Sequence, residues 1–358
     1  MKIRKFFFLC VSLALLFLSC AKDPSPAPAP PTPVTTGVYV LDQGSYGHNN
    51  AMLTYYDFTT SAATTDFFKN VNRFGLGDTG SDMITYGGKL YIVMNVSGYV
   101  AVSDKYTGMF TDTIDFKNAG INRGPQNIAG YGKNIFVSST DGTVAVIDTT
   151  TLAIQKFITV GSNPCYMAIS GSNLYVSNSG AFSATFEYDS TVSIVDMNSL
   201  TETGKITVGI NPGSIAADSA GNIYVSCQGD YGAVVPKLVK VGLTDKKIVK
   251  SVDSALGIIR YYNGALYTTG GYSGPANTGI LSTSDLAAIR PSFVTDGTEI
   301  ENPYGVDIDP ATGNVYVTDA KDYSSSGKVF CFDNAGKLKF SFSTAPGMNP
   351  GKTQLIVK

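Results

Sequence analysis

The sequence predicts an all-β fold, a seven-bladed β-propeller of four-stranded blades whose ring is closed by the C-terminal strand joining the N-terminal blade. One unit recurs along the chain: an Asn-Pro corner, an apolar run, a turn, and a second run that carries an aromatic residue. A period of roughly 40–50 residues with four short strands is typical of propeller blades. The recurring aromatics are 39 to 52 residues apart, at Tyr39, Tyr91, Phe136, Tyr175, Tyr224, Tyr267 and Tyr316.

The composition of each unit supports strands rather than helices. Four short runs per unit are rich in Val, Ile, Tyr, Phe and Thr, and Gly, Asn, Asp and Pro separate them. These are strand and turn signals, and a helical period of 3.6 residues is absent beyond the N-terminus. Since 43% of the 358 residues are hydrophobic, the chain can bury a large core. The repeat therefore predicts one ring-shaped domain over residues 36–358.

The N-terminal residues predict export and a membrane anchor. Residues 1–19 have a basic start and then an apolar run, the pattern of a signal peptide. Cys20 follows at the position that the acylated cysteine has in bacterial lipoproteins, so we predict lipidation there; an ordinary secretory signal is the alternative. Residues 20–35 predict a lipid anchor with a semi-rigid spacer, because residues 24–33 are rich in proline.

The two ends of the domain are predicted to pair. The first unit starts at its aromatic strand and lacks the strand that follows an Asn-Pro corner in other units. Asn349-Pro350-Gly351 and residues 353–357 supply that pattern at the C-terminus. We expect residues 353–357 to lie beside residues 38–41, which removes an open sheet edge.

The loops after the aromatic strands are predicted to form a binding face. Five are long (residues 44–51, 179–190, 229–236, 270–279 and 320–327), and those at 96–98 and 139–142 are short. Long loops often carry function, and Tyr with Asn, Ser and Gly is typical of binding loops. Solvated turns with incidental aromatics are the alternative. We predict that the five long loops form a wall around the mouth of the central channel. The short loops of units two and three would leave a gap in this wall, which is free for a partner. The predicted ligand-binding residues are Tyr46, Asn50, Phe186, Tyr188, Gln228, Tyr231, Tyr272, Asn277 and Tyr323.

The sequence offers little catalytic chemistry. His48 is the single histidine, which argues against a histidine triad or a multi-histidine metal site. Recurring carboxylates at strand ends favour turn formation rather than catalysis; they are Asp148, Asp196 and Asp333. We therefore predict no enzyme activity, no cofactor and no metal. Calcium bound by loop oxygens stays open at Asp189, Asp230 and Asp322.

The charge of the chain bears on its expected partners, and its cysteines bear on whether it has disulfides. The formal net charge is -2 and the basic residues are scattered, so nucleic acid is not an expected partner. Cys165, Cys227 and Cys331 are odd in number and lie in different units. They are expected to be small buried residues rather than a disulfide framework.

The aromatic strands also resemble a known family. Tyr316-Val317-Thr318-Asp319 and Tyr175-Val176-Ser177-Asn178 resemble the repeat of the YVTN propellers of the YncE-like group. With the anchor and spacer, the chain is similar to surface lipoproteins of gut-type Gram-negative bacteria, among them the BtuG-like proteins. The resemblance implies a monomeric outer-membrane lipoprotein that captures a corrinoid (cobalamin) beside a TonB-dependent transporter.

Two other function classes stay open. One is a surface-layer or adhesion module that binds glycan or protein. The other is a metal-dependent propeller lactonase or hydrolase, which needs a central set of acidic and amide ligands. Asp82 and Glu301 are the few acidic residues near the Asn-Pro corners.

Overall fold

The computed structural model describes residues 34–181, 187–242, 244–271 and 277–358. The predicted signal peptide, Cys20, the linker up to residue 33, Phe186 and Tyr272 therefore lie outside the described residues. The first strand begins at Thr35, one residue before the start predicted from the sequence.

Seven four-stranded antiparallel sheets form the ring, which confirms the predicted fold class. Blades 1 to 3 and their connections comprise β1 (Thr35–Asp42), β2 (Met52–Asp57), β3 (Ala62–Thr64), α1 (Phe67–Asn72), β4 (Gly80–Tyr86), β5 (Lys89–Met94), β6 (Tyr99–Asp104), β7 (Phe110–Asp115), β8 (Lys117–Asn118), β9 (Ile121–Asn122), β10 (Pro125–Tyr131), β11 (Asn134–Ser139), β12 (Thr143–Asp148) and β13 (Ile154–Thr159).

Blades 4 to 7 and the closing strand follow the same order. They comprise β14 (Pro164–Ser170), β15 (Asn173–Asn178), β16 (Thr191–Asp196), β17 (Thr201–Thr207), β18 (Pro212–Ala217), β19 (Ile223–Cys227), β20 (Lys237–Gly242), β21 (Lys247–Asp253), β22 (Leu256–Tyr262), β23 (Ala265–Gly270), β24 (Thr278–Ser282), β25 (Ala288–Arg290), β26 (Pro303–Ile308), β27 (Val315–Asp319), β28 (Ser326–Phe332), β29 (Leu338–Met348) and β30 (Pro350–Val357).

The ring closes through the two termini, as predicted. In blade 1 the sheet order is β3-β2-β1-β30, so the C-terminal strand is the innermost strand of the first blade. β1 and β30 are antiparallel, and Val38, Tyr39 and Val40 lie opposite Leu355, Gln354 and Thr353. The seam is therefore an antiparallel ladder of backbone hydrogen bonds, with a register shift near each end of β1.

The core lies between adjacent blades. The second and third strands of each blade are covered on both faces, so they are largely buried; all six residues of β11 are buried, including the polar Asn134, Ser138 and Ser139. All seven recurring aromatics are buried at these positions. Between blades 2 and 3, for example, Tyr91 and Val100 pack in one cluster with Ile128 and Val137. Each blade thus needs both neighbours to bury its faces.

The recurrent aspartates at the strand ends form turns, as predicted. The Asp148 carboxylate accepts the backbone N–H groups of Thr150 and Thr151, both at 2.9 Å. Asp196 and Asp333 accept two backbone N–H groups each in the equivalent turns. These hydrogen bonds hold the pKa of Asp148 and of Asp196 below the ordinary aspartate value.

The three cysteines are free, and they lie within or beside strands. Cys227 and Cys331 are buried, whereas Cys165 is half-buried on an inner strand. In the described part of the chain, no helix has the length and apolar character needed to span a bilayer.

Candidate functional site

A funnel of about 880 Å³ opens at the centre of the ring. All seven innermost strands line it with their first residues, those that follow the corner of each blade; examples are Ser81, Asn127, Tyr166 and Tyr304. The corners turn sharply: Asn163, Asn211 and Asn349 have φ values of 44°, 57° and 54°. Asparagine tolerates this left-handed conformation better than most residues.

The long-loop face surrounds the mouth of this funnel. The segments between the second and third strands of blades 1, 4, 5, 6 and 7 each contribute to its wall, through Gln43, Ser179, Gln228, Gly271 and Tyr323 respectively. The equivalent short segments of blades 2 and 3, at residues 95–98 and 140–142, contribute no lining residue. The funnel is therefore built by the inner strands and by the five long loops together.

The funnel wall is uncharged but rich in hydrogen-bonding groups. No Asp, Glu, Lys, Arg or His is among the described residues that line it. Four tyrosines line it (Tyr166, Tyr231, Tyr304 and Tyr323), and so do seven carboxamide side chains (Gln43, Gln126, Asn127, Asn163, Asn211, Gln228 and Asn302). A wall of this kind offers flat aromatic faces and many neutral donors and acceptors, but no ion pair to a ligand.

Three of the residues predicted from the sequence lie in the funnel wall: Gln228, Tyr231 and Tyr323. The Gln228 amide donates to Ser226 Oγ at 2.7 Å and to the Leu256 carbonyl at 2.6 Å, which fixes its orientation. The Tyr231 and Tyr323 side chains are 52% and 49% exposed, so their rings are accessible at the rim.

The backbone at both rim tyrosines is unusual. Tyr231 and Tyr323 have φ values of 57° and 63°, in the left-handed region that bulky residues rarely adopt. Such strain costs on the order of 1 kcal/mol or more and tends to occur at binding sites. A second ring packs edge-on against each: Tyr188 lies 6.1 Å from Tyr231, and Tyr304 lies 5.7 Å from Tyr323, between ring centroids.

The other predicted residues lie apart from the funnel wall. Tyr188 reaches the site through its contact with Tyr231 rather than as a lining residue. Tyr46 is 80% exposed at the tip of the blade 1 loop. The Asn50 side-chain oxygen accepts the Ser45 N–H at 2.8 Å, so it shapes its own loop. Asn277 is exposed and donates to the Pro291 carbonyl at 3.5 Å.

Tyr166 and Tyr304 also line the funnel, on the inner strands, and were not among the residues predicted from the sequence. Tyr304 comes two residues after Asn302 and Tyr166 three residues after Asn163, near the start of the inner strand in each case. Tyr304 donates its hydroxyl to Gln43 Oε1 at 3.0 Å and so joins blade 7 to blade 1. Burial raises the pKa of the Tyr166 phenol, which therefore stays neutral at physiological pH. Their place within three residues of an Asn-Pro corner is the signal that could have identified them.

A charged cluster lies on the inner strands beyond the funnel residues. Asp307 on β26 forms ion pairs with Arg260 on β22 at 3.1 Å and with Lys352 on β30 at 2.6 Å. Burial opposes ionisation of Asp307, but the charges of Lys352 and Arg260 outweigh it and hold the pKa of Asp307 below its ordinary value. This cluster joins blades 6, 7 and 1 around the channel.

The predicted gap at units two and three is partly covered. The connection between blades 2 and 3 forms the β8–β9 hairpin, which the sequence analysis did not predict. Asn122 of this hairpin donates to the carbonyls of Asn95 and Val96, at 2.8 and 3.0 Å, in the short blade 2 loop. Ile121 at the hairpin is 74% exposed.

The loop aspartates at which calcium stayed open accept backbone N–H groups, mostly of their own loops. Asp322 accepts the N–H groups of Ser324 and Ser325, and Asp230 accepts those of Gly232 and Val234. Asp189 accepts N–H groups of Ser162, Ser190 and Thr191. Within the described residues, no three His, Cys, Asp or Glu side chains form a group that could hold a metal ion.

Comparison with known proteins supports the fold but identifies neither a family nor a function. Neither the family models nor the curated proteins compared with the sequence gave a match. Among solved structures, a quinonprotein alcohol dehydrogenase-like protein from Bacteroides thetaiotaomicron has a TM-score of 0.65 at 14% identity; the match covers 90% of this chain and 78% of that one.

Two further structures are similar at the same level. A protein from Bacteroides uniformis, described as a candidate 6-phosphogluconolactonase, has a TM-score of 0.63 at 14% identity, covering 90% of this chain and 99% of that one. Hydrazine synthase from Kuenenia stuttgartiensis has a TM-score of 0.57 at 16% identity, covering 70% and 76%. Because propellers carry many unrelated activities, these likenesses show the fold alone.

Proposed function

We propose that this chain is a non-enzymatic binding propeller whose funnel captures one large, mostly neutral small molecule. A corrinoid such as cobalamin is the first candidate, and an outer-membrane TonB-dependent transporter is the proposed recipient. The observation that carries the proposal is the funnel itself: about 880 Å³, open at the long-loop face, with an uncharged wall of tyrosines and carboxamides among its described residues. Ligand pockets usually measure about 300–1,000 Å³, so this funnel suits a large ligand.

The chemistry of the wall favours a ligand with many neutral polar groups. Asn and Gln side chains donate and accept at once, and they pair well with the primary amides at the edge of a corrin ring. The rim tyrosines offer flat faces for a large ring. Backbone strain at Tyr231 and Tyr323 supports a binding role for both, since it persists where the surrounding structure holds a functional conformation.

The proposed location is the outer-membrane surface. It rests on the sequence of residues 1–35, in which the signal pattern, Cys20 and the proline-rich spacer would tether the propeller at a distance from the bilayer. Replacing Cys20 with Ala should move the protein from the membrane fraction to the soluble fraction. Membrane association that is unchanged in this variant would contradict the lipid anchor.

A glycan is the second candidate ligand. Exposed tyrosine rings with amide side chains around them also suit the apolar face and the hydroxyl groups of a sugar. A visible absorption spectrum distinguishes the two candidate ligands, because a corrin absorbs visible light and a sugar does not.

The test is binding of cobalamin to the purified protein. We expect the protein to retain the visible spectrum of cobalamin after desalting. Tyr231→Ala and Tyr323→Ala should each weaken binding in calorimetry by about 2 kcal/mol, or roughly thirtyfold in Kd, if the rings are binding hot spots. Tyr46→Ala is the matched control, because Tyr46 is an exposed loop tyrosine outside the funnel wall.

One result would contradict the corrinoid assignment, and another would contradict the funnel as its site. One is a desalted protein that carries no corrin spectrum; binding of a glycan from an oligosaccharide panel would then favour the second candidate. The other is equal affinity of the Tyr46, Tyr231 and Tyr323 variants, which would place the ligand outside the funnel.

A further inference from the structure

The charged cluster in the channel has more hydrogen-bond donors than acceptors. Arg260 Nε and Lys352 Nζ donate to the same atom, Asp307 Oδ1, at 3.1 and 2.6 Å. The other oxygen of Asp307 accepts the N–H and the hydroxyl of Thr353, at 3.1 and 2.9 Å. One carboxylate therefore accepts hydrogen bonds from two cations and from the backbone N–H and hydroxyl of Thr353.

The two cations have unused donors. A guanidinium has five N–H donors and an ammonium has three. Besides its bond to Asp307, Arg260 donates from Nη1 to the Ile259 carbonyl at 3.1 Å. The remaining N–H groups of Arg260 and Lys352 have no acceptor among the described residues. These two side chains are 28% and 18% exposed, so the cluster is accessible to solvent.

The cluster is continuous with the funnel. Ile258 and Gly351 line the funnel, and Arg260 and Lys352 follow them on the same inner strands, two residues and one residue further. At about 3.3 Å per strand residue, both cations begin within roughly 7 Å of the lining. Tyr166, which lines the funnel, lies within the electrostatic field of Arg260. Both cations therefore begin just beyond the described funnel lining, further along the inner strands.

Among the direct ion-pair contacts of the cluster, positive groups outnumber negative groups. Asp82 is the other carboxylate whose charge reaches both cations, but its hydrogen bonds are all to neutral donors: the Asn127 amide and the N–H groups of Ile128 and Met83. Burial raises the pKa of Asp82, against the opposing effect of Lys352, and this favours its uncharged form. In direct contact, two positive groups thus face one negative group.

We propose that Arg260 and Lys352 form an anion subsite just beyond the described funnel lining. It takes an oxyanion, a carboxylate or a phosphate ester, carried by a ligand whose neutral part fills the funnel. A planar guanidinium can bind such a group through two parallel hydrogen bonds, while the ammonium adds a point charge. That the oxyanion belongs to the funnel ligand rests on the proposed function; the subsite itself does not.

The test uses two small probes on the full protein, methyl phosphate and acetate. Binding is followed by the line width of the phosphorus and carbon NMR signals of the probes, at constant ionic strength and pH. We expect broadening with wild type and at least tenfold weaker binding with Arg260→Gln and Lys352→Gln. Lys352→Arg, which keeps the charge, should bind like wild type. Arg290→Gln is the control, because Arg290 lies on β25, an outermost strand.

Each outcome decides the proposal. Broadening by only one of the probes supports the subsite and identifies its group as phosphate ester or carboxylate. No broadening with wild type overturns it, and so does broadening that both Gln variants retain, since the anions would then bind elsewhere. Circular dichroism of each variant identifies a loss caused by unfolding, in which case the Gln variant that stays folded decides. No corrinoid is used, so failure here leaves the funnel proposal to its own test.

Discussion

Asp42 is a buried carboxyl group at the seam of the ring. Its replacement by an uncharged residue should stabilise the protein relative to wild type, and this gain in the free energy of unfolding should increase as the pH rises. It is the last residue of β1 and lies opposite Pro350 of the closing strand. Its side chain has no solvent exposure, and Oδ2 accepts a hydrogen bond from Thr54 at 3.0 Å. Among the described residues, Oδ1 has no hydrogen-bond partner. Burial raises the pKa of Asp42 to about 8, against the opposing effect of Thr344 and Thr54.

The sign and the size of the effect follow from this pKa. Between about pH 4 and pH 8 the folded state holds the proton and the unfolded state does not, so this group makes folding less favourable as the pH rises. Each pH unit in that window corresponds to about 1.4 kcal/mol. From pH 5 to pH 7, Asp42 therefore lowers the free energy of unfolding by roughly 3 kcal/mol, whereas an Asn of the same shape does not titrate.

The assay is urea unfolding of wild type and Asp42→Asn at pH 5, 6 and 7. The stability of the variant relative to wild type should increase by about 1.4 kcal/mol per pH unit. Asp57→Asn is the control: this exposed carboxylate accepts two backbone N–H groups, and its pKa is lowered, so it stays ionised throughout the range. A difference between Asp42→Asn and wild type that does not change with pH would refute the reasoning.

Two further predictions concern the seam and the funnel. A chain that ends after Gly351 loses most of β30, so blade 1 lacks its innermost strand; we expect loss of the cooperative melting transition or association into oligomers. A truncated protein that stays monomeric by gel filtration and melts at the parental temperature would contradict this. Burial raises the pKa of the Cys165 thiol to about 11, so only about one molecule in a thousand carries the thiolate at pH 8. Alkylation by iodoacetamide, followed by mass spectrometry, should therefore be slow at pH 8 and accelerate towards pH 11, and a funnel ligand should slow it further; rapid alkylation of the folded protein at pH 8 would show that the thiol is not shielded.

The blades were predictable because their signals are local and repeated. Strand runs, Asn-Pro corners and aspartate turns recur in several units, and each unit supports the interpretation of the next. Closure was predictable for the same reason, since residues 353–357 carry the pattern that the first unit lacks. The β8–β9 hairpin was missed because it is an insertion in one connection and has no counterpart in the repeat.

The candidate site was only partly predictable. Loop length and composition pointed to the long-loop face, and among the described residues Gln228, Tyr231 and Tyr323 do line the funnel. Composition cannot tell a ring that faces the funnel from one that faces solvent, as Tyr46 does. Tyr166 and Tyr304 were missed because they belong to strands, and a strand residue reaches a channel only through the way the blades are arranged around it.

The charged cluster of Arg260, Asp307 and Lys352 could not be predicted from the sequence. Arg260, Asp307 and Lys352 come from three inner strands; the first two are 47 positions apart in the sequence and the last two are 45 positions apart. In the sequence each is an isolated charge in a strand, with no motif around it. They meet because closure of the ring places the innermost strands of blades 6, 7 and 1 side by side around one channel. Repeated local patterns thus encode the blades, whereas the site arises from ring closure, which brings together side chains that no local pattern relates.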